Sequence, residues 1–152
     1  MVDEVTVREP IIVHQGFIVS YEYAAGEAGS RFYVELRDKG NILGTRCPQC
    51  SKVYVPPRTT CGACFGKLDE WVKLKAEGTL MTYTVVHYSL PVHPVGTPFA
   101  YGIIRLDGAD TGLTHLLGEV DLESIRIGMR VKAVFKEDRQ GNILDIKYFK
   151  PL

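Results

Sequence analysis

The stretch Cys47-Pro48-Gln49-Cys50-Ser51-Lys52-Val53-Tyr54-Val55-Pro56-Pro57-Arg58-Thr59-Thr60-Cys61-Gly62-Ala63-Cys64 contains all four cysteines of the chain, arranged as two Cys-x-x-Cys pairs. Thiolates two residues apart on a tight turn reach one metal from two knuckles, and Zn²⁺ takes four such ligands in a tetrahedron. The pattern therefore predicts a zinc ribbon held by Cys47, Cys50, Cys61 and Cys64. Four thiolates close the coordination sphere and leave no position for water, so the ion is structural, not a Lewis acid. Iron accepts the same four thiolates, and ligand type alone does not separate the two metals. Disulfides need an oxidising compartment, yet Asp3, Glu4, Arg8 and Glu9 occupy a start that would otherwise carry an export signal. Ser51 and Phe65 follow the second cysteine of each knuckle, where glycine would ease a positive φ.

At 152 residues the chain is one domain or two very small ones, and a ribbon of this size needs a metal staple. Basic and acidic side chains balance at 18 each, which counts against the electropositive footprint of a nucleic-acid or membrane-surface binder. No apolar run approaches the roughly 20 residues that span a bilayer. Cysteines reserved for metal point to a soluble cytoplasmic protein.

Beyond the ribbon the sequence reads as all-β. Apolar and β-branched segments at 79–88, 99–106, 113–120, 131–135 and 143–149 are separated by turns such as Leu106-Asp107-Gly108 and Gln140-Gly141-Asn142. A short helical turn capped by Asp121 falls between the third and fourth. Three strands, a helical link and two more strands is the chain order of a small five-stranded OB-type barrel; an open sheet is the competing arrangement. Ahead of the ribbon, Ser30 caps a predicted helix over 30–39 that exits at Gly40, with Phe32, Tyr33 and Leu36 on one side. Earlier still, Phe17, Val19, Tyr21 and Tyr23 alternate with polar residues in an apolar arm. The fold expected is thus mainly β, with an arm and helix at 1–40, a ribbon at 41–75 and a barrel at 76–152. The arm and helix, through Phe17, Val19, Tyr21, Phe32 and Leu36, are read as a surface for docking another chain, with strand pairing inside the chain as the alternative.

The order of these parts resembles a known family. Ser30-Arg31-Phe32, Leu36-Arg37-Asp38, Ile42-Leu43-Gly44, the two knuckles with Val53-Tyr54-Val55-Pro56-Pro57-Arg58 between them, Gly78-Thr79 and Ile127-Gly128-Met129-Arg130-Val131 are similar to the acyl-CoA-associated proteins that join a rubredoxin-like zinc ribbon to a C-terminal OB-fold. The likeness covers residues 17–152, and its most specific part is the Pro-Pro-Arg between the knuckles. It implies an accessory subunit of a hetero-oligomer. The catalytic groups would lie on a thiolase-fold partner: a thiolase, a hydroxymethylglutaryl-CoA synthase or a thiolase-like retro-aldolase. Small subunits of benzoylsuccinyl-CoA thiolase-type complexes, and subunits from steroid side-chain breakdown, belong to the same resemblance. It further implies that the ribbon is structural, and that the barrel and linker hold the partner and the CoA moiety.

The residues support this independently. Thioester condensation or cleavage needs a free thiolate and a base, but every cysteine is committed to metal, and His14, His87, His93 and His115 are scattered without a carboxylate motif. For a CoA ester the candidate cations are Arg46, Lys52 and Arg58, framing the ribbon beside Tyr54 and Phe65. The loop 89–98, with three prolines and a glycine, is stiff and apolar, and through Val92 and Val95 it is read as facing the partner or the acyl-CoA channel. The alternative function is a single-stranded nucleic-acid-binding ribbon/OB module, which the balanced charge disfavours.

Overall fold

The computed structural model describes residues 22–152, so the arm residues Phe17, Val19 and Tyr21 lie outside the described part. The first element is helix α1, Gly26–Lys39, and its start corrects the sequence reading. Ser30 lies inside the helix, which runs one turn further upstream; Ala25 precedes it and its methyl side chain offers no cap. The exit is as read: Gly40 adopts φ 64° and its amide reaches back to the carbonyls of Glu35 and Leu36.

Strands β1 (Ile42–Arg46), β2 (Val53–Tyr54) and β3 (Glu70–Leu74) form an antiparallel sheet in the order β2-β1-β3. In β1, Ile42 to Thr45 are all buried, which an edge-covered strand with only one protected face could not achieve. Gly44 is required here, because a Cβ would lie 2.8 Å from the Tyr54 carbonyl oxygen. Phe32 and Leu36 belong to the same core as Ile42, Leu43, Val53 and Val55. With exposures of 2% and 0% they are spent inside the molecule, and the reading of these two residues as partner contacts is corrected accordingly.

Strands β4 (Glu77–Val86), β5 (Phe99–Leu106), β6 (Leu113–Leu117), β7 (Arg130–Phe135) and β8 (Ile146–Pro151) close a barrel in the order β4-β5-β6-β8-β7. The ring shuts where Gly78 pairs with Val131, and β6 meets β8 in parallel at Leu117 and Phe149. Closure removes every open edge, which excludes the open-sheet alternative. Asp121 caps a 3₁₀ turn over Leu122–Ser124 as expected. The last segment differs: Ile143–Asp145 is a second 3₁₀ turn and the strand starts only at Ile146. The buried Asp145 carboxylate accepts the amides of Gln140, Gly141 and Asn142 at 2.8, 2.7 and 3.2 Å, an arrangement that curls the chain before it can extend.

Ribbon and barrel share one core, and a polar seam aligns them. The turn after β5 lies against β2: the Val53 amide donates to Asp110 Oδ2 at 2.8 Å, the Asp110 amide to the Val53 carbonyl at 2.9 Å, and the Thr111 hydroxyl both accepts from the Val55 amide and donates to its carbonyl. Behind α1, Arg139 Nε donates to the Arg37 carbonyl at 2.7 Å.

Two stability predictions follow from this packing. Leu36→Ala deletes a side chain that is 0% exposed and should cost about 3 kcal/mol in urea unfolding. His115, buried between β6 and the second 3₁₀ turn, is neutral: Nδ1 accepts the Leu116 amide at 2.9 Å and Nε2 donates to the Ile143 carbonyl at 3.1 Å. Burial holds its pKa below the ordinary histidine value. The unfolded chain therefore takes up the proton first, and the contribution of His115 is present above about pH 6.5 and lost as pH falls below it. The gap in unfolding midpoint between wild type and His115→Gln should narrow between about pH 7.5 and 5.5.

Candidate metal centre and docking surface

The two knuckles are built alike. In the first, the Cys47 amide donates to the Lys52 carbonyl at 2.9 Å and the Ser51 amide to the Cys47 carbonyl at 2.8 Å; in the second, Cys61 pairs with Gly66 at 2.9 Å and Phe65 with Cys61 at 3.1 Å. Each turn needs a left-handed residue after its second cysteine. Ser51 and Phe65 take that role at φ 60° and 58°, the positions where the sequence lacked glycine. Both turns point their sulfurs to one spot. All four Sγ atoms lie within 4.8 Å of one another, with Cys47 to Cys64 at 3.4 Å and Cys50 to Cys61 at 3.5 Å. A tetrahedral ion with Zn–S bonds of about 2.3 Å would place its ligands roughly 3.8 Å apart, so the residues fit zinc. Cys47 and Cys61 are buried; Cys50 and Cys64 face out.

Tyr54 contributes a contact that the sequence did not disclose. Besides standing next to the cation candidates, Tyr54 places its hydroxyl 3.2 Å from Cys61 Sγ. Donation from Tyr54, supported by the amides of Cys64 and Ala63, pulls the Cys61 thiol down to about 5. The Cys50 amide likewise holds the Cys47 thiol below its ordinary value. Thiolate is the form that binds metal, so these donors favour it at Cys47 and Cys61, whereas burial and the neighbouring sulfurs push the Cys50 thiol up and the Cys47 and Cys61 sulfurs push that of Cys64 up to about 12. Above the Tyr54 ring, 5.6 Å from its centroid, sits the Arg58 guanidinium, and the Arg58 amide donates to the buried Thr45 hydroxyl at 3.0 Å.

The other cation candidates lie apart from this stack. Arg46 faces Glu70 across the sheet at 3.5 Å, and Lys52 is an exposed residue just past the first knuckle. Arg58 lines a groove with Pro57, Thr59, Thr60 and the first turn of α1. Phe65 is 81% exposed.

The loop between β4 and β5 presents apolar side chains outward. Val92 is 83% exposed and Val95 43%, with Tyr88 and Leu90 beside them. His93 anchors the loop from below: its ring packs edge-on to Phe99 at 5.1 Å and against Tyr88 at 5.6 Å, while Nδ1 accepts the Leu90 amide at 3.2 Å. That anchor was not legible beforehand, since a lone histidine in a proline-rich loop carries no local signal. The seam residues Asp110 and Thr111 were equally hidden, their partners being more than fifty positions away.

Metal retention should follow the thiolates and their donor. Cys47→Ser should lose zinc and unfold the ribbon, seen as loss of the metal in elemental analysis. Tyr54→Phe should keep one metal per chain but release it to a chelator about 10–100-fold more readily.

Comparison with known proteins agrees with this architecture. Residues 34–70 match the family model of the ChsH2 rubredoxin-like zinc ribbon domain, and residues 71–136 that of the ChsH2 C-terminal OB-fold domain. A DUF35 domain-containing scaffold protein of Methanocaldococcus jannaschii is 32% identical over 127 residues, covering 80% of this chain and 89% of its own length. One from Methanothermobacter thermautotrophicus is 29% identical over 112 residues, covering 72% and 83%. Among solved structures, an Ltp2-ChsH2(DUF35) aldolase chain superposes with a TM-score of 0.59 at 23% identity, covering 80% of this chain and 93% of that one. A DUF35 protein of Sulfolobus solfataricus superposes at 0.60 with 25% identity, covering 72% and 78%. With its two knuckles, its closed barrel and a relative of this identity over most of both chains, the protein belongs to the DUF35 family of ChsH2-type zinc-ribbon and OB-fold proteins.

Proposed function

We propose that this chain is a non-catalytic subunit that binds and braces the catalytic subunit of a complex acting on an acyl-CoA, the partner being a thiolase-fold enzyme that makes or breaks a C–C bond next to the thioester. The observation that carries the reading is the convergence of all four cysteines on one metal position, together with an exposed apolar loop between β4 and β5. No thiol is left to form an acyl-enzyme, and among the described residues His115 and His93 are engaged by backbone amides and aromatic rings. Large exposed apolar side chains on a stiff loop are what a docking surface requires.

The names of similar proteins support the same reading: scaffold proteins in two archaea, and a ChsH2 chain in an aldolase with Ltp2. Thiolase and retro-aldolase partners share the need for an acyl-CoA, and either fits. Arg58, in its groove, is the candidate best placed to meet a CoA phosphate, with Arg46 and Lys52 as weaker neighbours. A cytoplasmic location accords with four reduced cysteines. The nucleic-acid alternative draws no support from the hollow on β4 and β5 that Tyr83 and Tyr101 line, which holds no cation.

The test is gentle capture of the tagged protein from its source. A stoichiometric thiolase-fold companion is expected, the complex turning over β-keto or β-hydroxy acyl-CoAs while the isolated chain does not. Nucleic acid in its place would overturn the reading. Val92→Asp with Val95→Asp should abolish retention of the companion while zinc content and unfolding midpoint stay unchanged.

A further inference from the structure

Beneath the 89–98 loop the barrel surface sinks into a hollow of about 180 Å³, walled by Pro94 and Val95 of the loop, Leu116 of β6 and Leu144 of the second 3₁₀ turn. Its remaining wall is two lysines, Lys136 and Lys147, and no carboxylate lines it. Among the described residues neither lysine has a carboxylate within 4.0 Å, although the neighbouring Lys150 is paired with Glu119 at 2.5 Å. Glu119 also takes the Tyr148 hydroxyl, and Lys147, 5.3 Å from the Tyr148 ring centroid, acts on Glu119 through space without forming an ion pair with it. Lys136 and Lys147, neither of them in an ion pair among the described residues, thus border an apolar cavity large enough for one bulky side chain, and both also line an adjoining groove with Glu119, Glu137 and Asp138.

We infer that this hollow receives an apolar side chain flanked by carboxylates on a surface segment of the catalytic subunit. This rests on the accessory-subunit reading and names the chemistry of the contact. Burying the apolar group against Val95, Leu116 and Leu144 supplies affinity, and the two lysines select a segment of negative charge and set its register. The occupant is polypeptide and not a free small molecule, because the loop that walls the hollow with Pro94 and Val95 also carries Leu90 and Val92, 46% and 83% exposed, which only an extended partner surface would cover. The His93 anchor keeps the loop wall in place, so little ordering is required on binding.

The test is a methyl and amide NMR titration of the full zinc-loaded chain with three acetylated eight-residue peptides. Each carries one central leucine, flanked by glutamates, by glutamines or by lysines. The glutamate peptide is expected to shift the signals of Val95, Leu116 and Leu144, binding at least about tenfold tighter than the glutamine peptide and weakening as salt screens the lysines. Lys136→Glu with Lys147→Glu should reverse the preference to the lysine peptide; should that variant fail to fold, Lys136→Gln with Lys147→Gln should lose the preference alone. No perturbation, equal binding of the three peptides, or shifts confined to the ribbon would overturn the inference. A captured companion without peptide binding would remove only this contact, whereas peptide binding without a companion would remove the accessory-subunit reading.

Discussion

Four thiolates within 4.8 Å of one another repel unless a dication stands between them, and the rest of the molecule is arranged around meeting that requirement. The two knuckles deliver the sulfurs through matched backbone hydrogen bonds, and Tyr54 and the local amides hold the charge. A three-stranded ribbon of this size buries too little apolar surface to stand by itself. Cross-linking β1, β2 and β3 through the metal gives the ribbon a rigid shape against which other elements can pack.

Those other elements are the helix and the barrel. Because β1 is covered throughout, Phe32 and Leu36 complete the same core as barrel residues such as Ile104 and Phe149. The Asp110–Thr111 turn then registers barrel against ribbon through hydrogen bonds in both directions. The consequence for function is geometric. The metal end and the 89–98 loop are carried on one packed body, so the loop keeps a defined orientation to the ribbon and to Arg58.

The division of labour this suggests is a chemical one. The four thiols converge on one metal position and His115 is set among backbone amides, so among the described residues these groups serve structure. Val92 and Val95 stand exposed on the same loop that walls the hollow with Pro94 and Val95.

Much of this could be read from the chain alone, because the signals are local. Cys-x-x-Cys turns, the missing glycines at Ser51 and Phe65, the capping Asp121, the Gly40 exit and the turn signals between the barrel strands all depend on neighbours a few residues away. The metal site and the chain order of the barrel were therefore determined by sequence. Tertiary structure decided the rest: that Phe32 and Leu36 face inward, that residues 143–145 curl around Asp145 before extending, that Tyr54 turns to Cys61, and that Lys136 and Lys147 meet Pro94 and Val95 across the barrel wall. Each of these is a contact between residues that only closure of the barrel or packing on the ribbon brings together, and amphipathic pattern shows that a face is apolar without showing what will cover it.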